Sequence, residues 1–206
     1  MADLPGGISP TRSAYLELKD ERRQINEGYE FLDEKRLLLA AELLRRLREY
    51  EALRQVLQSL WDTARAALAA ACGRHGLDGL SVLPVAAVEE TRWTSTQQRF
   101  LGVTLADGSA EFERGDVPEA AVNPSPEAGQ CADAFSAFAE RLGELALAEG
   151  SLVRLVRDYT RTERRARALE NVLLPELRDA LHFMDEQLEA MDQEEAVRVR
   201  RARHEG

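Results

Sequence analysis

Chemistry needs reactive side chains at workable spacing, and this chain offers few. Cys72-Gly-Arg-His75 has the short spacing of half a zinc site, but no second half accompanies it and no metal is expected. His182 and His204 lie on helical patterns without suitable Cys or carboxylate neighbours and read as solvated or satisfied. The phosphate-cradling pattern G-x-x-x-x-G-K-[ST] is absent, as is a plausible pairing of nucleophile and base. No catalytic residue and no cofactor site is therefore expected. What stands out instead is Tyr159 to Pro175, YTRTERRARALENVLLP. It carries Arg161, Arg164, Arg165 and Arg167, with Arg157 just upstream, and runs into an apolar block that ends in a proline.

The elements that position this stretch follow from composition. In 206 residues, 6% aromatic and 31% charged side chains leave little for a thick core and favour long helices. No apolar run approaches the roughly 18 residues of a membrane span, and the start MADLPGGISP lacks the regions of a signal peptide. The chain is expected to be cytoplasmic, held at a membrane only through partners. A net charge of -10 argues against a general nucleic-acid binder. Ala106 to Gly150 carries a net -8 of this, while Lys35 to Arg54 and Arg157 to Arg167 are locally basic. Cys72 and Cys131 are too few and too far apart in sequence for a disulfide framework, and are expected to be reduced and partly buried.

Residues 1–10, with Pro5, Gly6, Gly7 and Pro10, form a flexible lead-in, and Thr11 or Ser13 is placed to cap the first helix. Residues 11–72 read as one N-terminal helix. Leu18, Ile25, Leu32, Leu39, Leu53, Leu60 and Ala67 form one seven-residue line, interrupted by Arg46. Tyr15, Tyr29, Leu43, Tyr50, Leu57 and Ala64 form a second line offset by four, with Arg22 and Arg36 as gaps. Two such lines are the a and d seam of a coiled coil. At 1.5 Å per residue, roughly 60 residues would span about 90 Å. The seam arginines are read as snorkelling to the rim, with capture by a buried carboxylate as the alternative. Gly28 marks either a close approach of another backbone or a tolerated cost of about 1 kcal/mol.

Residues 73–132 form a small α/β insertion. Gly73, Gly76 and Gly79 end the first helix, Leu80–Trp93 and Phe100–Leu105 read as strands, and Asp107-Gly108 is a hairpin turn signal. The hairpin, or a three-stranded ribbon, is too small to stand alone and must pack on a helix or a partner. Arg114 to Gln130, with Pro118, Pro124 and Pro126, reads as an acidic loop. Residues 133–206 form the C-terminal helix, with Leu145, Leu152, Leu155, Tyr159, Ala166, Leu169 and Leu173 on its seam and Thr162 as the polar member. Beyond Pro175 the seam runs Leu177, Leu181, Met184, Leu188 and Met191. The four-residue steps from Leu169 to Leu181 relax the supercoil, and Pro175 is expected to bend the helix. The fold expected is mainly α, a long antiparallel two-helix coiled coil of the N- and C-terminal segments around a β-hairpin. If the termini are level, Arg45, Arg46 and Arg48 fall near Arg164 to Arg167 as a basic belt, against the alternative of a solvated face with local ion pairs.

Two stretches carry a family resemblance. Residues 10–39, PTRSAYLELKDERRQINEGYEFLDEKRLLL, resemble the opening of the D subunit of the V-type and A-type rotary ATPases in Pro10, Thr11, Arg12, Leu18, Lys19, Gly28, Leu32, Lys35 and Arg36. Residues 147–177 resemble the same family in the LAE at Leu147, and in Thr162, Arg164, Arg165, Ala168, Leu169, Glu170 and Pro175. Ala166 and Arg167 replace the usual Val and Asn. The resemblance implies a non-catalytic central-stalk axle. Its partners would be the catalytic and non-catalytic ring subunits (A and B), the F subunit of the stalk, and the C/d adaptor on the membrane rotor. It implies a subunit interface at Lys35, Arg36, Arg161, Arg164, Arg165 and Glu170, or else a set of residues bracing the two helices. The rival reading is a free-standing coiled-coil adaptor or tether with a small recognition head.

Overall fold

The computed structural model describes residues 10–81, 88–114 and 125–204. In order, the elements are helix α1 (Arg12–Ser81), strands β1 (Val88–Phe100) and β2 (Val103–Arg114), helix α2 (Pro126–Ala168), a wide π-helical turn (Leu169–Leu173) and helix α3 (Leu174–His204). The flexible lead-in assigned to residues 1–10 falls almost wholly outside the described residues, as does 115–124 of the acidic loop. The chain folds as two compact units, one of residues 1–38 with 159–206 and one of residues 39–158.

In the first unit, the start of α1 packs antiparallel on α3. Leu18, Leu181 and Met184 are buried together, with Ala14, Tyr15, Leu177 and Ala180 against them. Arg12 reaches Asp192 through two hydrogen bonds of 2.9 and 2.8 Å. Thr11 caps α1, its hydroxyl accepting from the Ala14 amide at 3.2 Å, which satisfies one of the free donors of the first turn. Each buried Leu contributes on the order of 1.5–3 kcal/mol, and helices of this kind depend on that burial. Beyond Pro175 the predicted seam holds as far as Leu188, but Met191 is 55% exposed. Asp192 already stands level with Arg12, the first residue of α1, so no described helix lies opposite the last turns of α3.

The seam changes phase at the π turn. Leu173, placed on the seam by spacing, is 39% exposed, whereas Leu174 is half-buried. The Leu174 amide donates to the Leu169 carbonyl, five residues back rather than four. Pro175 has no amide to give and its ring crowds the preceding turn, so widening that turn accommodates it. The observed seam runs Ala166, Leu169, Leu174, Leu177, Leu181 and Met184, and the single five-residue step is the wide turn.

In the second unit, α1 and α2 run antiparallel. Trp61 meets Phe138 at 5.3 Å and Phe135 at 6.3 Å between ring centroids, Arg74 meets Glu127 at 3.0 Å, and His75 Nε2 meets Ser125 Oγ at 2.6 Å. Every apolar position predicted for the α1 seam is buried or half-buried. Helix α1 passes Gly73 and runs to Ser81, kinked at Gly76, where φ 70 and ψ 169 are backbone values open to glycine. Helix α2 begins at Pro126, inside the stretch expected to be loop. Ser125 caps it, its hydroxyl accepting from the Ala128 amide at 3.2 Å. Pro126 then takes the first helical position, where its missing amide costs nothing.

The insertion is a two-stranded antiparallel hairpin, pairing Phe100 with Val103 around the two-residue turn Leu101-Gly102. Both turn residues have positive φ, 47 and 90, as the tight turns that match strand twist require. The turn is therefore not at Asp107-Gly108, which lies within β2 opposite Thr96 and Ser95. Gly108 is there for another reason: a Cβ at that position would run into the Thr94 carbonyl.

Candidate subunit interface

Two side-chain clusters position the functional surfaces, one in each unit. In the second unit the hairpin is held to both helices. Val103 and Leu105 are buried, and Asp107, two residues on, shares their face of β2. Asp107 is taken by Arg46, whose Nη2 donates to Oδ2 at 2.9 Å while Nη1 pairs with Oδ1. Arg46 Nε also donates to Glu42 at 3.1 Å, and the Arg46 side chain is only 8% exposed. Of the two readings of the seam arginines, capture by a carboxylate holds at Arg46, while Arg22 is exposed at the rim. The bidentate guanidinium holds the Asp107 carboxyl below the usual carboxylate range. Glu42 is lowered as well, first by hydrogen bonding to Arg45 and then by Arg46, against the opposing effect of burial.

From α2, Ser151 is fully buried and bonds both ways to Ala106, donating to its carbonyl at 2.8 Å and accepting from its amide at 2.9 Å. Arg154 Nε adds a bond to the Thr104 carbonyl at 2.7 Å. The edge of β2 is thus satisfied by side chains of α2. No pattern in the sequence pointed to Ser151, because a serine on a helix is ordinarily a surface residue.

In the first unit lie the residues proposed from sequence as an interface. Thr162 and Ala166 are buried, and Arg161, Arg164 and Arg165 stand exposed on the same helix, pairing with no carboxylate among the described residues. Lys35 is half-buried. Arg36 is spent on its own helix, 2.5 Å from Asp33. Glu170 lies beside the Tyr29 hydroxyl, and the Tyr29 pKa is raised, first by desolvation and then by the Glu170 charge. That contact puts residue 29 level with residue 170. With antiparallel helices of equal rise, Lys35 and Arg36 then stand at the height of Arg164 and Arg165. Of the six candidates, Arg36 is paired on its own helix, Glu170 meets Tyr29 across the helix pair, Lys35 is half-buried, and the three α2 arginines are exposed.

Of the arginines expected to form a belt, Arg45, Arg46 and Arg167 are paired, while Arg48, Arg164 and Arg165 are exposed. Arg45 is held by Glu42 and Glu49, Arg46 by Asp107, and Arg167 by Glu163 at 2.7 Å. The Cys72-Gly-Arg-His75 motif spends its imidazole on Ser125, and no cluster of three or more metal-ligating side chains occurs among the described residues. No described helix is long and apolar enough to cross a membrane.

Exposed apolar side chains add a second kind of surface. Phe31, Leu37, Val172 and Leu173 are exposed in the first unit. In the second, an open groove is lined by Leu47, Tyr50, Leu152, Val153 and Val156, with Glu149 and Arg157 at its edge. Apolar exposure on this scale marks surfaces that other proteins cover. The seam lines could not reveal most of it, because Phe31, Leu37, Leu47, Val153, Val156 and Val172 lie outside the seam.

Comparison with known proteins gives this surface its context. The family model for the D subunit of ATP synthase matches residues 14–204. The V-type ATP synthase D subunit of Thermus thermophilus is 31% identical over 94% of this chain and 86% of its own length. The A-type ATP synthase D subunit of Methanoregula boonei is 28% identical over 97% of both chains, and the V-type ATP synthase D subunit of Thermotoga neapolitana is 24% identical over 94% of this chain and 96% of its own. A family match over residues 14–204 and 31% identity to the Thermus protein over nearly the whole length of both chains carry the same conclusion: the chain belongs to the ATP synthase D-subunit family.

Proposed function

We propose that the chain is the central-stalk axle of a V/A-type rotary ATPase or ATP synthase. It transmits torque between the nucleotide-binding ring and the membrane rotor that moves protons or sodium ions. The family match over residues 14–204 carries this reading. The chain performs no chemistry itself. Its working partners are the A and B ring subunits, the F subunit of the stalk and the C/d rotor adaptor, and it works in the cytoplasm, peripheral to the membrane. Residues 11–72 and 133–206 serve as the coil, and residues 73–132 as the insertion beside it.

A shaft needs stiffness along its length and asymmetry around it, so that identical ring sites meet different faces. Continuous seam burial supports the first requirement. The phase step at Leu169–Leu173 and the one-sided arginines support the second. Lys35, Arg36, Arg161, Arg164, Arg165 and Glu170 form the bearing zone, where Arg161, Arg164 and Arg165 make the outward contacts, and Glu170 beside Tyr29 helps hold together the two helices that present them. The test is charge reversal, Arg164→Glu with Arg165→Glu, in the reassembled complex. Both side chains are exposed, so the coil should fold as before while ATP hydrolysis loses its coupling to ion pumping. Intact coupling in that variant rules out the bearing role.

A further inference from the structure

The two cysteines, 59 positions apart in the chain, are brought to neighbouring positions across the antiparallel pair of α1 and α2. The register is fixed on both sides of them, by His75 with Ser125 and Arg74 with Glu127 toward one end, and by Trp61 with Phe138 toward the other. Counting back three residues from His75 and forward three from Ser125 places Cys72 level with residue 128, one helical turn from Cys131. The remaining offset is closed by side-chain direction. Helical Cα–Cβ bonds tilt toward each helix's own N-terminus, and in an antiparallel pair the two tilts oppose. Cys72 leans along α1 toward the level of Cys131, and Cys131 leans along α2 toward the level of Cys72. Both side chains are half-buried and both thiols are free. The Cys131 thiol is raised by burial and, secondarily, by the charge of Cys72, an influence that only a near neighbour exerts.

We propose that Cys72 and Cys131 form a reversible intramolecular disulfide between α1 and α2 when the chain meets a small-molecule disulfide oxidant such as oxidised glutathione. The Cys72 thiolate attacks one sulfur of the oxidant, forming a mixed disulfide and expelling one glutathione thiolate. The Cys131 thiolate then attacks the Cys72 sulfur, closing the protein disulfide and expelling the second thiolate. Two protein thiols are oxidised, two thiols of the oxidant are produced, and the two protons lost from the protein balance them. His75 takes no part, being bonded to Ser125. The product is a covalent staple across the second unit, one turn from the Gly76 kink, so the redox state of the surroundings sets whether the two helices can separate there.

The experiment uses the full chain with oxidised glutathione, natively and in concentrated urea, read by intact mass, free-thiol titration and peptide mapping under non-reducing conditions. The expected native product is monomeric, lighter by two hydrogens, without titratable thiol, and gives a peptide linking Cys72 to Cys131. It should form at least about tenfold faster than in urea, because the fold raises the effective concentration of one thiol at the other. Adding a reductant should restore both thiols. Two thiols that persist, a retained glutathione adduct, a dimer linked between chains, or closure no faster than in urea each overturns the proposal.

Discussion

Replacing Asp107 by Ala removes the carboxylate that receives Arg46, and the structure sets how much this costs. Stranding one member of a fully buried ion pair costs about 3–5 kcal/mol, whereas an exposed pair is worth about 0–1 kcal/mol. Arg46 is at the buried limit, with its side chain 8% exposed, while Asp107 is 49% exposed. Glu42 stays 3.1 Å from Arg46 Nε and absorbs part of the stranded charge. The cost of Asp107→Ala is therefore about 2 kcal/mol, roughly a thirtyfold shift in the folding equilibrium. Arg46→Met is expected to behave differently. It removes the buried charge and keeps an apolar stem, Asp107 is left in partial contact with water, and Glu42 retains Arg45, so the cost is within about 1 kcal/mol. A double-mutant cycle should give about 1–2 kcal/mol of coupling.

The pH dependence carries a sign. The folded Asp107 carboxyl is lowered, so its contribution is complete above the ordinary carboxylate range and is lost as pH falls through its folded value. Urea unfolding of the four proteins at neutral and acid pH, with hydrogen exchange at the Ala106 amide beside the pair, measures these quantities. The wild-type advantage over Asp107→Ala should shrink on acidification. A cost under about 0.5 kcal/mol at neutral pH, or zero coupling, would refute the assignment of Arg46–Asp107 as the latch of the hairpin.

Three further outcomes are expected. Gly28→Ala should stabilise the chain by about 1 kcal/mol, since nothing lies within 4 Å of the added methyl, whereas Gly108→Ala should weaken the hairpin because its Cβ meets the Thr94 carbonyl; thermal unfolding of the pair checks both. Glu170→Gln should move the Tyr29 pKa back toward the ordinary tyrosine value, leaving the part of the rise due to desolvation, as read by the ring resonance in an alkaline titration. Deleting Val172 together with Pro175→Ala should leave α2 and α3 as one continuous helix with stability within about 2 kcal/mol of the parent, as circular dichroism and urea unfolding would report, while deleting Val153, inside regular α2, should cost far more.

The deletion rests on a phase argument that also separates what was legible in the sequence from what was not. Seam lines are local arithmetic: Leu18, Leu39 and Ala64 recur at helical spacing because one face must be buried, and all three are buried. The same arithmetic fails where the number of residues per turn changes, and so it put Leu173 on the seam in place of Leu174. Turns failed for a related reason. Asp107-Gly108 and Leu101-Gly102 both allow positive φ, and only the pairing partner decides which becomes the turn; Gly108 is bound into β2 by its approach to Thr94, which no local pattern encodes. Contacts across long sequence separation were the least legible. Arg46 with Asp107, Ser151 with Ala106 and Tyr29 with Glu170 each unite a helix residue with one far along the chain, and no local pattern names the partner.

Removing one residue from the wide turn tests this directly. With Val172 gone, the spacings Ala166, Leu169, Leu174, Leu177, Leu181 and Met184 become steps of three, four, three, four and three, the steps of an uninterrupted seam. Each downstream side chain keeps its partner on α1, and only the turn that Pro175 had widened disappears. If the shortened chain instead loses the packing of Leu18 on Leu181 and Met184, the wide turn holds the phase of α3 by more than the count of residues, and Pro175 is not its cause.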